Sequence, residues 1–265
     1  MAPRKSNFGF EPGDNSRSEI KSLGTAFTIA EQLKNTGPAR VTELASATGY
    51  SKSTVHQHLA TLRAHDFVVK DGDQYELGLR FLDIGGLVRR NRVEANVIKP
   101  KIKELGDKTD EVAIFTTEER GLAVILYREA GQHGVYTKAR PGKRIHLHQV
   151  AAGKAILSQY SDERVKSILG RRGLQPMTKK TITDREELLE ELDMIRERGF
   201  ALSLGESTEG VRAAAVPMQT PRGDVMGACA VAGPAHRMEG SRLREEIPDL
   251  IRSVVNEMEL NIAHS

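Results

Sequence analysis

One stretch constrains the fold of this chain more than any other: Val41 to Leu62, VTELASATGYSKSTVHQHLATL. It reads as a helix, a tight turn and a second helix. Thr42 is a good N-cap, and Leu44 and Ala45 give the first helix an apolar edge. Gly49 stops that helix, and Tyr50 leads into Ser51, a second N-cap. Val55, Leu59 and Leu62 then fall at i, i+4 and i+7, on one face. The opposite face carries Lys52, Ser53, Thr54, Gln57, His58 and Thr61, short hydroxyl, amide and cationic side chains that suit phosphate oxygens and base edges. No acidic residue occurs between Glu43 and Asp66, as a surface pressed against a polyanion requires. Phe67–Val69 and Gln74–Leu77 flank Lys70-Asp71-Gly72-Asp73, two short strands about a turn, so a hairpin follows the second helix as the wing of a winged helix-turn-helix. The bland alternative is a small structural helical module with a polar outer face.

On the first reading, residues 51–65 enter a major groove of double-stranded DNA. The expected contacts are Thr42, Ser51, Lys52, Ser53, Thr54, Gln57, His58, Thr61 and Arg63. Gln57 and His58 are expected to read bases, and Lys52, Ser53 and Thr54 to hold phosphates.

Bulk properties fit such a partner. The chain has 265 residues and a net charge of +3, and all of that excess lies in the first 92 residues. The length suits two domains, each with its own core. A single cysteine, Cys229, allows no internal disulfide and points to a reducing compartment. No apolar run approaches the roughly 20 residues that span a bilayer. The first residues lack the apolar core of a signal peptide, so 1–17 is expected to be a flexible tail and the protein cytoplasmic, with no membrane partner.

In chain order, 18–78 is expected to be the winged helix-turn-helix domain, with a helix over Ile20–Asn35 (Leu23, Phe27, Ile29, Ala30 and Leu33 inward) as its floor. Residues 79–92 read as a linker helix. Its apolar Leu79, Leu82, Leu87 and Val88 are placed to pair with a second copy, although Gly85-Gly86 weakens it by roughly 1 kcal/mol per glycine. Residues 93–265 form the second domain. It has a helix over Asn96–Lys108, then strands at Val112–Thr116, Leu122–Tyr127 and Val135–Thr137, helices at Asp162–Leu169 and Asp184–Arg198, strands at Phe200–Leu204, Val211–Met218 and Val225–Ala232, and a helix over Ser241–Ile262. Strands, then helices, then strands indicate an α+β domain around an antiparallel sheet.

No phosphate-loop, dinucleotide, zinc-protease or nucleophile-elbow motif is present, and no catalytic constellation can be assembled. His146 and His148, without a carboxylate or cysteine nearby, make a poor metal site, and Cys229 reads as an inert core thiol. No cofactor is expected. One feature reads as a binding site: Ala151-Ala152-Gly153 enters a helix with free N–H groups, which attract a carboxylate or phosphate. The competing explanation is that the small residues there merely permit close packing. Small strand residues Ala213, Ala230 and Ala232 leave room for a pocket.

These blocks carry a family resemblance. SLGTAFTIAEQL, VTELASATGYSKSTVHQHLATL and YELGLRFLDIGG resemble the DNA-binding half of IclR-type transcriptional regulators. AAGKAIL, TKKTITDREELLEELDMIRERGFAL, EGVRAAAVPM and GACAVAGPAHR resemble their effector-binding half, and together the blocks cover about 20 to 262. The resemblance implies a winged helix-turn-helix, a linker helix and a GAF-like effector domain, assembled as a homodimer or homotetramer on an operator. It places the effector pocket at Ala151, Ala152, Ser203, Val211, Ala213, Ala230 and Ala232, with Gly153 at the helix start. Many relatives carry Cys or Ser where this chain has Ala213 and Ala232, and often an acidic residue near Ser203. The effector expected is a small carboxylate with a small or flat apolar body, such as a keto acid or an aromatic acid. The function expected is thus DNA-binding regulation, not enzymatic, under the control of an organic acid. The alternative is a GAF-like small-molecule-binding or enzymatic protein whose N-terminal module docks protein.

Overall fold

The computed structural model describes residues 20–92, 94–134 and 139–264. The tail expected at 1–17 and the strand expected at Val135–Thr137 lie outside the described residues. The chain forms two compact units that divide after Leu87.

The first unit holds α1 (Lys21–Thr36), β1 (Ala39–Arg40), α2 (Val41–Thr48), α3 (Lys52–Ala64), β2 (Val68–Asp71) and β3 (Gln74–Leu77). Ile29, Leu33, Leu44, Val55, Leu59, Val68 and Tyr75 close its core. In α1, burial begins only at Ile29; Leu23 and Phe27, expected inward, are exposed. Gly49 ends α2 in the left-handed region (φ 77°), and its N–H donates to Ala45 O at 3.0 Å.

The start of α2 differs from the expectation. Thr42 is inside the helix, and the cap position is Arg40. The reason is a third strand invisible to periodicity. Ala39–Arg40 pairs antiparallel with Tyr75 and Gln74, completing a sheet of order β1-β3-β2, so the chain stays extended through Arg40. Arg40 N then donates to the Glu43 carboxylate at 2.7 Å, and its guanidinium pairs with Asp73 at 2.7 Å.

α4 (Arg80–Arg92) follows the wing and has no buried side chain among those described. Leu79, Leu82, Leu87 and Val88 are all exposed, Leu79 by 82% and Leu82 by 70%.

The second unit is built on six antiparallel strands in the order β6-β5-β4-β9-β8-β7. These are β4 (Val112–Glu119), β5 (Leu122–Ala130), β6 (Arg144–His146), β7 (Ala201–Ser203), β8 (Val211–Gln219) and β9 (Val225–Pro234). The central β9 reads as an unbroken apolar run because both of its faces are covered. α5 (Ala95–Thr109) and α9 (Ile247–Ala263) pack on one face through Ile98, Ile102, Ile251 and Met258. α6 (Ala151–Leu157), α7 (Asp162–Arg172) and α8 (Arg185–Arg198) share the other core with Leu157, Ile168, Leu188 and Leu192.

Two details depart from the sequence reading. β6, a three-residue edge strand on β5, is absent from it. The helix expected from Ser241 opens instead with a wide turn, Arg242–Glu246, before α9. Pro248, in the first turn of α9, has no N–H to extend a regular ladder backwards.

Candidate functional site

α3 presents its outer side as the spacing demands. Val55 and Leu59 are fully buried, while Lys52, Ser53, Gln57, Thr61 and Arg63 are exposed. Ser53, Gln57 and Thr61 occupy the middle of the outward face, one turn apart. Lys52 and Arg63 sit on one flank with exposed His56, which is missing from the expected set. Thr54 and His58 lie on the other flank and are half-buried. The Ser51 hydroxyl accepts from Thr54 N at 3.1 Å, and it shares hydrogens with Ser53 and Thr54 hydroxyls at 2.8 Å each. Ser51 thus caps the helix. Thr42 is exposed but belongs to α2, not to this helix.

The second unit contains a cavity of about 110 Å³ between the sheet and the segments before α6 and after β7. Seven of the eight expected residues line it: Ala151, Ala152, Ser203, Val211, Ala213, Ala230 and Ala232. Register explains the convergence, since Ser203 pairs with Ala213 and Ala213 with Ala232, one row across three strands. Gly153 does not line it. A Cβ there would lie 2.1 Å from Leu147 O, so its missing side chain permits α6 to press on the turn Leu147–Gln149. The close-packing explanation accounts for that glycine, and α6 has only seven residues, all of them buried.

Ser203 is not the sole polar group. Thr116, Lys143, Ser207 and Thr208 also line the cavity. Lys143 precedes β6, and its place on the wall depends on a turn laid against β5. Ser207 and Thr208 follow Ser203 closely in sequence, and that proximity is the signal by which they could have been found.

Behind the cavity wall stands a buried ionic group. Lys154 is 1% exposed, and its Nζ donates to Glu206 at 2.9 Å and Glu191 at 3.4 Å. Glu191 also accepts from Arg198 at 2.9 Å. Burial pushes the Glu206 carboxyl above its ordinary range, while Lys154 and the Leu204 N–H pull it down. Lys154 is thus committed inside the protein and does not line the cavity. Burial also holds the His148 imidazole down at about 4. Its Nε2 lies 3.1 Å from Gln175 O, which can only accept. No group of three His, Cys, Asp or Glu that could hold a metal occurs among the described residues. The buried Cys229 thiol is pushed up by desolvation and is unreactive in this state.

The description "IclR helix-turn-helix domain" matches residues 22–72, and "Bacterial transcriptional regulator IclR C-terminal" matches 89–259. The chain belongs to the IclR family. It is 28% identical to the probable HTH-type transcriptional regulator ArcR of Halobacterium salinarum, over 99% of both chains. It is 30% identical to the HTH-type transcriptional regulator BhcR of Paracoccus denitrificans, over 92% of this chain and 88% of that one. Its fold matches an IclR homolog from Microbacterium hydrocarbonoxydans complexed with 4-hydroxybenzoate, with a TM-score of 0.78 at 18% identity, covering 92% of this chain and 100% of that one. As an IclR-family member the protein is a DNA-binding transcription regulator. The matched relatives are named regulators, not enzymes. No helix among the described residues is long and apolar enough to cross a membrane.

Proposed function

We propose that this IclR-family regulator binds its operator through α3 and is controlled by a small carboxylic acid held in the cavity of the second unit. In this reading residues 18–78 bind DNA, 79–92 link, and 93–265 form a GAF-like effector domain acting in the cytoplasm. Gln57, with Ser53 and Thr61 beside it, reads base edges; Lys52, Arg63 and the helix start hold phosphates. Half-buried His58 reads at the margin of that face.

The observation that carries the effector reading is the cavity. Its floor is alanine and branched aliphatic, and its polar groups are few, as in sites for small organic ligands. At about 110 Å³ it is smaller than the ~150 Å³ apolar cavity that takes up benzene, so an acid of a few carbons fits better than an aromatic one. The 4-hydroxybenzoate held by the Microbacterium homolog gives a precedent for an acid in this fold. Exposed Leu82, Leu87 and Val88 on α4, Leu79 just before it, and Leu23 and Phe27 on α1 are the apolar surfaces through which we propose two copies pair.

Salt dependence of DNA binding tests the first half. Several phosphate contacts give a log–log slope of about −0.9 per neutralised phosphate. Binding that is flat in salt would point to a module that docks protein instead. Thermal shift against short keto and hydroxy acids tests the second half. A ligand at about 100 times its Kd adds roughly 2.7 kcal/mol of stability, and Ala213→Phe, which fills the floor, removes that gain.

A further inference from the structure

Taking α3 as the helix that enters the groove, as proposed above, we infer that His56 is a further phosphate-contacting residue that takes up a proton on binding, so that the protein holds DNA more tightly as pH falls. Lys52, His56 and Arg63 fall at i, i+4 and i+11 of α3, which is one stripe along its flank. All three are exposed. A helix about 10–12 Å across fills a major groove about 12 Å wide. With Ser53, Gln57 and Thr61 toward the base edges, each flank of α3 then meets a sugar-phosphate backbone. His56 stands in the middle of the flank that carries the two permanent cations.

The imidazole is free to take that role. α1, α2 and β2 pack against α3. Their charged groups are Lys21, Glu31 and Lys34 on α1, Glu43 on α2, and Lys70 and Asp71 on β2. Glu31 pairs with Lys34, Glu43 accepts from Arg40 N at 2.7 Å, and Lys70 lies over the Tyr75 ring. Beyond the end of α3, Asp66 lies 3.9 Å from Arg80. None of these groups makes a hydrogen bond or ion pair with the His56 ring among the described residues. The anion that this ring lacks in the free protein is supplied by a phosphate.

The linkage has a definite sign. An imidazole beside a phosphate takes a proton from solvent and donates N–H to a phosphate oxygen as an imidazolium. It holds that proton more tightly on DNA than off it. The gain is therefore full at low pH and is lost as pH rises through neutrality. A shift of about one unit, the low end for an opposite charge nearby, is about tenfold in affinity per copy of α3 on the duplex. The other histidines of the first unit are placed differently. His58 is half-buried on the opposite flank beside Thr54, with no cation on its stripe, and His65 lies past the end of the helix.

Fluorescence anisotropy with the full chain tests this at pH 6 and 8 over a range of salt. The probes are a duplex recovered by binding-site selection and a scrambled duplex of the same composition. The proteins are wild type, His56→Gln, His56→Arg, His58→Gln and His65→Gln, with circular dichroism checking each fold at both pH values. Wild type should bind both duplexes about tenfold more tightly per copy at pH 6 than at pH 8. Its log–log salt slope should steepen at pH 6 by about 0.9 per copy, the mark of one more neutralised phosphate. His56→Gln should lose both effects, and His56→Arg should bind within threefold at the two pH values. Salt-dependent binding that is flat in pH, or a pH effect that survives His56→Gln or vanishes in His58→Gln or His65→Gln, overturns the role of His56 and leaves the α3 reading standing. A pH effect confined to the selected duplex, with an unchanged salt slope, overturns the phosphate contact. A wild type that binds neither duplex overturns the α3 reading and this inference with it.

Discussion

Replacing Lys154 with Met tests the electrostatics of the second unit most directly. Met keeps the length and volume of the stem and removes the charge. Glu191 keeps Arg198 at 2.9 Å, so it is not stranded. Glu206, 6% exposed, loses its one cation and retains only the Leu204 N–H. Removing one partner of a buried pair in this way costs about 3–5 kcal/mol. With a urea slope of about 2–3 kcal/mol/M for a unit of this size, the midpoint falls by about 1–2.5 M. The pH dependence follows from the direction of the Glu206 shift. A carboxyl whose folded pKa is raised binds its proton more tightly folded than unfolded, so stability rises as pH falls through the folded pKa toward the ordinary value of 4.5. In Lys154→Met that pKa climbs further, so the deficit is largest at pH 8 and shrinks toward pH 5. Adding Glu206→Gln restores most of the loss. Urea unfolding followed by far-UV circular dichroism at pH 5.5 and 8 provides the measurement, with the two units fitted separately because they need not unfold together. A deficit under about 1 kcal/mol at pH 8, or one that does not change with pH, refutes the reasoning.

Gln57→Ala should cost about 1–3 kcal/mol on the cognate operator and relax preference at one base pair; equal affinity and unchanged preference in a binding-site selection would show that another side chain reads there. Gly153→Ala should destabilise the second unit by about 1–3 kcal/mol, because its Cβ meets Leu147 backbone at 2.1 Å, and a neutral thermal melt would contradict the close packing. Sedimentation at micromolar concentration should give a dimer or tetramer, with Leu82→Glu shifting it toward monomer; a wild-type monomer, free and on DNA, would defeat the pairing surface proposed for α4.

What was legible in the sequence was whatever depends on neighbours along the chain. The turn at Gly49, the Ser51 cap and the Val55–Leu59 face all follow from residues within two helical turns, and all stand as read. The cap at Arg40 was not legible, because it is set by strand pairing with Gln74. Lys143 and Lys154 show the same limit more sharply. In sequence Lys154 simply follows Ala151-Ala152-Gly153, the helix start read as an anion site. Its fate is decided by Glu206, 52 positions on, which draws it into the interior. Lys143 reaches the cavity wall because a turn at Gly142 docks on Ile125 of another strand. Short-range pattern carries no information about either event.

The alanine floor bears on how such a site could regulate. Ala213, Ala230 and Ala232 offer only methyl groups, so selective energy must come from the walls. Moving a two-state equilibrium from 1:99 to 99:1 requires about 5.5 kcal/mol of differential binding. A single charge-assisted hydrogen bond is worth about 1.5–3 kcal/mol, and a ligand shifts the equilibrium only by the part of that which differs between states. One cavity that holds its ligand's charge by one such bond therefore cannot switch the protein fully. Two cavities in a two-fold assembly, switching together, supply about 3–6 kcal/mol, which reaches the requirement. The pairing proposed for α4 and the acid-effector reading thus depend on each other, and the acid's effect on operator binding should be sigmoidal in acid concentration. A hyperbolic response that nonetheless releases the operator completely would break that link, since it would require far more differential energy from one site than its lining provides.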